Sequence, residues 1–246
     1  KAIDAPVTME VYVMSQCPYG VKVVNAVVPV ARELEGHIEL ELDYIGRERN
    51  GQLTSMHGES EVQGDMIQLC VHEHATYSSW LSFLECQNDD WRNIPDDWQQ
   101  CAGQHGVDIA AVSECMNGDQ GYELLRRSFE RSEEAGARGS PTIFVNGVRY
   151  QGGRSSAAFG RAMCATFDSD DRPPYCESVP PPPEVPVFLV SDSRCQRPEC
   201  NVNEELDSLK LRIPGASIRR LDSGTPEANQ LLANLTNKLL PIIFIG

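Results

Sequence analysis

The sequence lacks three features that would each have indicated a common functional class. It contains no Cys-x-x-Cys pair, the usual spacing of zinc ligands, and we predict neither a metal site nor another cofactor. It contains no uncharged apolar run of about 18 residues, so no membrane span is predicted. It also contains no block of Lys and Arg, and its net charge of −15 would repel phosphate backbones, so nucleic acid is not expected as a partner.

Cysteine, in contrast, is abundant, with nine residues in a chain of 246. Cytosolic proteins rarely carry so many cysteines without a metal or a catalytic reason. We therefore predict an extracytoplasmic, oxidising compartment, which would be periplasmic, secreted or lumenal. An odd number also leaves at least one thiol without a partner in the same chain.

A proline-rich segment at 177–186 divides the sequence. Consecutive prolines favour polyproline II geometry and cannot join a helix or a central strand. We predict a semi-rigid linker there, between a first domain at 7–176 and a second at 187–246. The second part repeats the plan of the first but stops before a last strand and helix, so we expect it to be C-terminally incomplete.

Local patterns in the first part predict an α/β order of elements. Apolar and β-branched residues indicate two strands and a helix, and a mostly helical block follows at about 60–135. An Asn-Gly pair at 146–147 then separates two β-rich runs, which is a strong hairpin signal. The predicted strands lie at 9–14 and 38–45, and the predicted helices at 18–34 and 155–167.

Cys17 lies between the first predicted strand and the first turn of the following helix. The free N–H groups and the dipole at a helix start stabilise negative charge, and the thiolate is the nucleophile in disulfide exchange. Pro18 suits the first helical turn, where its missing N–H is no loss. The alternative is that Cys17 is a buried, inert thiol.

Several motifs in order resemble the DsbA-like thioredoxin superfamily, and the middle section resembles the gamma-interferon-inducible lysosomal thiol reductases. They cover most of 9–176 and are Cys17-Pro-Tyr-Gly, Met56-His-Gly-Glu, Gln68-Leu-Cys-Val, Phe83-Leu-Glu-Cys, Glu114-Cys-Met-Asn-Gly and Gly139-Ser-Pro-Thr-Ile-Phe-Val. The resemblance implies a thioredoxin-like fold with a helical insertion. It also implies that Pro141, preceded by Ser140, is cis and faces Cys17, beside a backbone edge that can pair with an extended substrate. Tyr19 would shape the approach of the substrate.

The sequence departs from the family at three cysteine positions. Gly20 replaces the second active-site cysteine, so Cys17 has no neighbouring thiol to resolve a mixed disulfide. Another thiol would have to do so, from glutathione, a thioredoxin-like reductant or the second domain. Ser55 and Val62 replace two further cysteines, and their joint loss suggests that they bond to each other in the relatives.

The remaining cysteines are predicted to be bonded. A continuous helix from Cys70 to Cys86 would separate them by about 24 Å at about 1.5 Å per residue, too far for a bridge. We predict three structural disulfides, although four cysteines in the helical block leave other pairings open. Cys195 and Cys200 form either a second redox pair or a static bridge. The predicted structural pairs are Cys86–Cys101, Cys70–Cys115 and Cys164–Cys176.

Two functional hypotheses follow from these patterns. The first is a thiol–disulfide oxidoreductase or isomerase-like enzyme that uses Cys17 on protein thiols or disulfides, with Pro18, Tyr19, Ser140 and Pro141 around it. The second is a redox-inert peptide-binding or scaffold module with the same groove. Loss of the second active-site cysteine favours the module, and retention of Cys17 with both prolines favours the enzyme.

Overall fold

A computed structural model describes residues 7–237 and 239–246. The chain divides into two compact units, with the boundary between Val179 and Pro180. This boundary falls inside the proline-rich segment at 177–186. No helix formed by the described residues is both long and apolar enough to cross a membrane.

The first unit contains six strands and eight α-helices among its described residues. The helices α2 to α6 form a continuous helical block between the small β3–β4 hairpin and β5. In chain order the elements are β1 (Val7–Val13), α1 (Pro18–Glu33), β2 (Ile38–Tyr44), β3 (Arg47–Arg49), β4 (Gln52–Thr54), α2 (Glu59–His74), α3 (Tyr77–Asp89), α4 (Trp98–Gln104), α5 (Ile109–Asn117), α6 (Asp119–Glu134), β5 (Thr142–Val145), β6 (Val148–Arg149), α7 (Ser156–Cys164) and α8 (Tyr175–Ser178).

The main sheet of the first unit has the strand order β2-β1-β5-β6. β1 runs parallel to β2 and antiparallel to β5, and Val11 pairs with Leu42 on one side and Ile143 on the other. The predicted Asn-Gly hairpin joins β5 to β6 through residues with positive φ, Asn146 and Gly147. Parallel pairing of β1 and β2 needs a crossover, which α1 supplies.

The core of this unit lies between the sheet and the helices on it. Met9, Val11 and Val13, which share one face of β1, are buried, as is the valine-rich face of α1, and Tyr12 is buried on the other face of the strand. Alternation along a strand and a stripe along a helix are the patterns by which each element covers one apolar face. The C-terminal end of β1 is thereby fixed close to the start of α1, where Cys17 lies.

The helical block departs from the sequence expectation at one place. The stretch from Cys70 to Cys86 is not one continuous helix, because α2 ends at His74 and α3 begins at Tyr77. Thr76 caps α3, since its Oγ1 accepts a hydrogen bond of 3.2 Å from the backbone N–H of Ser79. The last helix is also shorter than predicted and ends at Cys164 rather than near residue 167.

The second unit has a three-stranded sheet of order β8-β7-β9, in which β7 is parallel to β8 and antiparallel to β9. β1, β2 and β5 of the first unit are related in the same way. The β7 strand includes Val185 and Pro186, which the sequence analysis assigns to the linker, because they pair with Ala216 and Ser217. The elements are β7 (Val185–Ser191), α9 (Asn203–Arg212), β8 (Ala216–Asp222), α10 (Pro226–Leu232) and β9 (Ile242–Ile245).

Candidate active site

Cys17 occupies the N-cap position of α1, directly after the loop that leaves β1. Its backbone N–H donates to the carbonyl of Met14 at 3.0 Å, and its carbonyl accepts from Val21 N–H at 2.9 Å. Pro18 takes the first helical position, as expected for a residue without an N–H. The backbone thus holds the thiol at the positive end of the helix dipole.

The Cys17 thiol is free but mostly covered. All nine cysteines are described, and the other eight are in disulfides. Cys17 keeps 9% of its surface exposed, whereas Tyr19, two residues on, is 66% exposed. The fold therefore leaves little of Cys17 open to a reacting sulfur, whereas the aromatic side chain two positions on is exposed.

The loop before β5 lies against Cys17. The Ser140–Pro141 peptide bond is cis, and the Sγ of Cys17 lies 3.8 Å from the carbonyl oxygen of Ser140. The hydroxyl of Ser140 accepts a hydrogen bond of 3.1 Å from the backbone N–H of Met14. The fold thus brings Cys17, Pro18, Ser140 and Pro141, which the sequence analysis selected, into one site.

Gly20 lies where the second cysteine of a Cys-x-x-Cys motif would be, and the surrounding space is small. A Cβ added at Gly20 would come within 2.5 Å of the Oγ of Ser140 and 3.1 Å of the carbonyl of Met14. A separation under 3.0 Å requires movement of one of the groups. The Ser140 hydroxyl therefore occupies the position that a side chain at Gly20 would need.

Two buried carboxylates of α2 support the loop that carries Cys17. Glu61 and Asp65 are fully buried and lie one helical turn apart on the same face. The N–H of Ser15 donates to Asp65 Oδ1 at 2.9 Å, and the N–H of Gln16 donates to Glu61 Oε2 at 3.1 Å. The two residues before the thiol are therefore held by carboxylates from the helical block.

Asp65 is the more unusual of these two carboxylates. Burial raises its pKa well above the ordinary value, and the nearby Glu61 adds to the rise, although hydrogen bonds from Ser15 oppose it. Its second oxygen, Oδ2, is buried and has no hydrogen-bond partner among the described residues. A carboxyl group in this position favours its neutral, protonated form.

Glu61 has many hydrogen-bond donors around it. Its Oε1 accepts from the hydroxyl of Ser55 at 2.5 Å and from the N–H of His57 at 3.2 Å, and the His57 ring Nδ1 lies 2.6 Å from Oε2. Glu61 of α2 thus connects Ser55 and His57, which lie between β4 and α2, to Gln16 in the loop before Cys17. Ser55 stands where the related motif has a cysteine, and here it serves as a donor to this carboxylate.

Sequence reasoning did not single out Asp65 as a functional residue. The available signal was the spacing of Glu61 and Asp65, because residues four apart share a helix face, and Ile67 and Val71 lie buried in the same helix. Two acids among buried helical positions are unusual unless they have partners. The identity of those partners, Ser15 and Gln16, depends on contacts between distant parts of the chain.

The other eight cysteines all lie in disulfides. The structure joins the pairs Cys70–Cys115, Cys86–Cys101 and Cys164–Cys176, which connect α2 to α5, α3 to α4 and α7 to α8. Cys195 and Cys200 are also joined, with a Cα–Cα distance of 6.2 Å. Among the residues the structure describes, no group of three or more His, Cys, Asp or Glu is arranged to hold a metal ion.

A strand–Cys–helix turn facing a cis-proline loop on a four-stranded mixed sheet defines a protein of the thioredoxin-fold class. A structural alignment with oxidised DsbA from Mycobacterium tuberculosis covers 72% of this chain and 90% of that one, with a TM-score of 0.54 and 15% identity. It also aligns with the reduced disulfide bond oxidoreductase DsbG of the same organism, over 70% of this chain and 82% of that one, with a TM-score of 0.53 and 15% identity. The predicted α/β thioredoxin-like fold with a helical insertion is confirmed for the part these structures cover.

Within that class, residues 8–105 match the family described as gamma interferon inducible lysosomal thiol reductase, GILT. A GILT-like protein from Anopheles gambiae is 26% identical over 144 residues, which are 50% of this chain and 60% of that protein. The chain thus spans less than two thirds of the length of this curated relative. The predicted resemblance is confirmed: the chain has a thioredoxin-like fold, is similar in structure to DsbA proteins, and is similar in sequence to the GILT family over residues 8–105.

Proposed function

We propose that this protein is a thiol–disulfide oxidoreductase or isomerase-like enzyme that works with Cys17 as its only active-site thiol. The observation that carries the proposal is the position of a free thiol at the start of α1, 3.8 Å from the Ser140 carbonyl. The similarity to thiol reductases over residues 8–105 supports it. The proposed site consists of Cys17, Pro18, Tyr19, Ser140 and Pro141.

The proposed chemistry begins with attack of the Cys17 thiolate on one sulfur of a substrate disulfide. A bond forms between Cys17 and that sulfur, the substrate S–S bond breaks, and the other sulfur leaves as a thiolate. If a different thiolate of the substrate then attacks the substrate sulfur of the mixed disulfide, a new substrate disulfide forms, the Cys17 thiolate leaves, and the substrate is isomerised without net electron transfer. If two glutathione molecules act instead, the substrate gains two electrons, and oxidised glutathione is released.

The absence of a cysteine at position 20 explains why an outside thiol is needed in this scheme. A neighbouring thiol in a Cys-x-x-Cys pair would release the substrate by closing an internal disulfide. Here the mixed disulfide with Cys17 stays until glutathione, a thioredoxin-like protein or a substrate thiol attacks it. The eight bonded cysteines support an extracytoplasmic, oxidising compartment.

The second candidate is a redox-inert module that binds extended peptides beside Pro141. The 9% exposure of Cys17 and the lack of a second thiol favour this candidate. In that case the Ser140 loop would provide backbone hydrogen-bonding groups to a peptide, and Cys17 would only pack beneath it. The second unit, with its Cys195–Cys200 disulfide, would be a further thioredoxin-like part of such a scaffold.

Trapping of mixed disulfides distinguishes these two functions. The full chain would be incubated with a peptide disulfide at several pH values, quenched with acid and analysed by intact mass and peptide mapping. The enzyme hypothesis predicts one adduct on Cys17, released by glutathione, and a Cys17→Ser variant without any adduct. If Cys17 does not react in the folded protein but reacts after unfolding in urea, the protein is the redox-inert module.

A further inference from the structure

Two cavities adjoin the loops that surround Cys17, and arginines line both. The larger has a volume of about 1020 Å³ and includes Met14, whose carbonyl accepts from Cys17 N–H. The smaller has a volume of about 420 Å³ and includes Pro141. Cys17 itself lines neither cavity, so the cavities would receive the parts of a substrate that flank the reacting sulfur.

The larger cavity receives its positive charge from β3 and from the loop after α6. Arg47 and Arg49 are two apart in β3 and therefore lie on the same face, and both line the cavity together with Arg138. Glu48, between them, instead accepts a hydrogen bond from Gly51 N–H in the turn. The cavity has one acidic lining residue, Glu133, so the arginines are in excess.

The smaller cavity has two arginines and no acidic lining residue. Arg149 belongs to β6, and Arg154 follows a turn in which the Tyr150 hydroxyl donates to the carbonyl of Gly153 at 2.7 Å. Neither arginine, nor any of the three in the larger cavity, forms an ion pair with another residue that the structure describes. Five arginines and one acidic residue thus line the two cavities, an excess of positive charge in a chain whose net charge is −15.

We propose that these arginines select substrates in which acidic residues flank the reacting cysteine. An extended segment that pairs beside Pro141 would place its neighbouring side chains toward the two cavities, where the guanidinium groups can bind carboxylates. Tyr19 and Met56, which are 66% and 75% exposed, provide apolar contacts for the same segment. This inference rests on the proposed function only for the bond formed with Cys17, because binding does not require that bond.

Matched peptides test this substrate class. Three disulfide-linked peptides would differ only at the residues that flank cysteine, which would be Glu, Gln or Lys, and the rate of adduct formation on Cys17 would be measured for the full chain. We expect the Glu peptide to react at least about threefold faster than the Gln peptide, from two or three exposed ion pairs, and the Lys peptide to be slowest. Equal rates for the Glu and Gln peptides would overturn the proposal.

Variants then test whether the cavity arginines cause the preference. A combined Arg47→Gln, Arg49→Gln and Arg138→Gln variant, and a separate Arg149→Gln and Arg154→Gln variant, should each reduce the Glu preference. Arg172→Gln is the matched control, because Arg172 is exposed and lines neither cavity. If all three variants keep the full preference, the arginines of the cavities do not select the substrate.

Two further experiments distinguish selection of acidic peptides from the proposed enzyme activity and from binding of a small acidic ligand. Peptides with Ser in place of Cys would be tested for binding by fluorescence anisotropy, since a redox-inert module would still prefer the Glu peptide without forming an adduct. Oxidised glutathione, which also carries carboxylates, would be tested as a reactant. Arginine-dependent reaction with glutathione, without any preference among the peptides, would overturn the assignment to acidic peptide segments.

Discussion

The hydroxyl of Ser140 fills the space into which a side chain at Gly20 would project. A Cβ built at Gly20 would lie 2.5 Å from that oxygen, and the hydroxyl is held there by a hydrogen bond from Met14 N–H. The single-thiol character of the site therefore involves two residues from distant parts of the chain. A second cysteine at position 20 would need a change at the cis-proline loop as well.

Gly20→Ala is expected to destabilise the protein, although alanine is intrinsically better in helices than glycine by about 1 kcal/mol. Insertion of a methyl group into filled space costs about 1–3 kcal/mol, and the neighbouring oxygen is itself fixed. We expect the free energy of unfolding in urea to fall by about 1 kcal/mol, the difference between these two terms. Gly103→Ala is the control, because a Cβ there meets only the Ile109 Cδ1 at 3.9 Å, and its stability should stay equal or rise.

Removal of the Ser140 hydroxyl should restore room for a second thiol. We expect the double variant Gly20→Cys with Ser140→Ala to form a disulfide between positions 17 and 20 on oxidation, and Gly20→Cys alone to form it more slowly and to a lower extent. The lost hydrogen bond to Met14 N–H costs about 1 kcal/mol in the double variant. Thiol counts and peptide mapping after oxidation measure the difference, and equal extents in both variants would show that Ser140 is not the obstacle.

The pH dependence of stability should reveal the buried carboxyl group of Asp65. Because burial raises its pKa well above the ordinary value, the folded state holds a proton that the unfolded state loses at lower pH. The contribution of this carboxyl group to the free energy of unfolding is fully present below the unfolded pKa of about 3.9. It declines as pH rises from that value toward the raised pKa of the folded state. The loss has a slope of about 1.4 kcal/mol per pH unit.

Asp65→Asn should remove this dependence, since asparagine does not ionise and can still accept from Ser15 N–H. Urea unfolding would be measured at pH 4.5 and pH 7.5, on the order of one unit and several units above the unfolded pKa. The Asp65→Asn variant should be more stable than the unsubstituted protein, and the difference should be larger at pH 7.5. Asp43→Asn is the control, because buried Asp43 accepts from Ser128 and from Arg131. The Asp43→Asn control should lose about 1–3 kcal/mol of stability at pH 7.5. A similar loss in Asp65→Asn would show that Asp65 is not held as a neutral carboxyl group in the folded protein.

The part of the fold that the sequence predicts well is the part fixed by local patterns. The first strand, α1, the second strand and the Asn-Gly hairpin follow from side-chain periodicity and turn chemistry. Cys17 and Pro18 follow from their place between a strand and a helix. In each case the residues that determine the element lie within a few positions of one another, so the element can be predicted from the sequence alone.

What the sequence does not reveal depends on contacts between distant residues. The filling of the Gly20 space by Ser140 requires the β5 loop to lie against α1, and the bonds from Ser15 and Gln16 to Asp65 and Glu61 require α2 to pack on the same loop. Exposure of Cys17 also depends on this packing, which leaves 9% of its surface accessible. The break between α2 and α3, in contrast, has a local feature, the Thr76 cap at the start of α3.

The disulfide between α2 and α5 should contribute more to stability than the one between α7 and α8. Cys70–Cys115 closes a loop with a sequence separation of 45, whereas Cys164–Cys176 closes one of 12. Chain-entropy estimates give about 4 kcal/mol for the longer loop and about 3 kcal/mol for the shorter. Cys70 and Cys115 are also almost fully buried, in helices that pack on the core, so their replacement adds the cost of lost contacts.

Paired alanine substitutions test this ranking without leaving one half of the removed disulfide as a new free thiol. We expect the variant that replaces Cys70 and Cys115 to lose at least about 4 kcal/mol, and the variant that replaces Cys164 and Cys176 about 3 kcal/mol, in urea unfolding followed by tryptophan fluorescence. Because α2 also carries Glu61 and Asp65, the first variant should in addition change the rate at which iodoacetamide modifies Cys17, while the second should not. A larger loss in the second variant, or an equal change of the Cys17 rate in both, would show that α2 is not held in place by its disulfide.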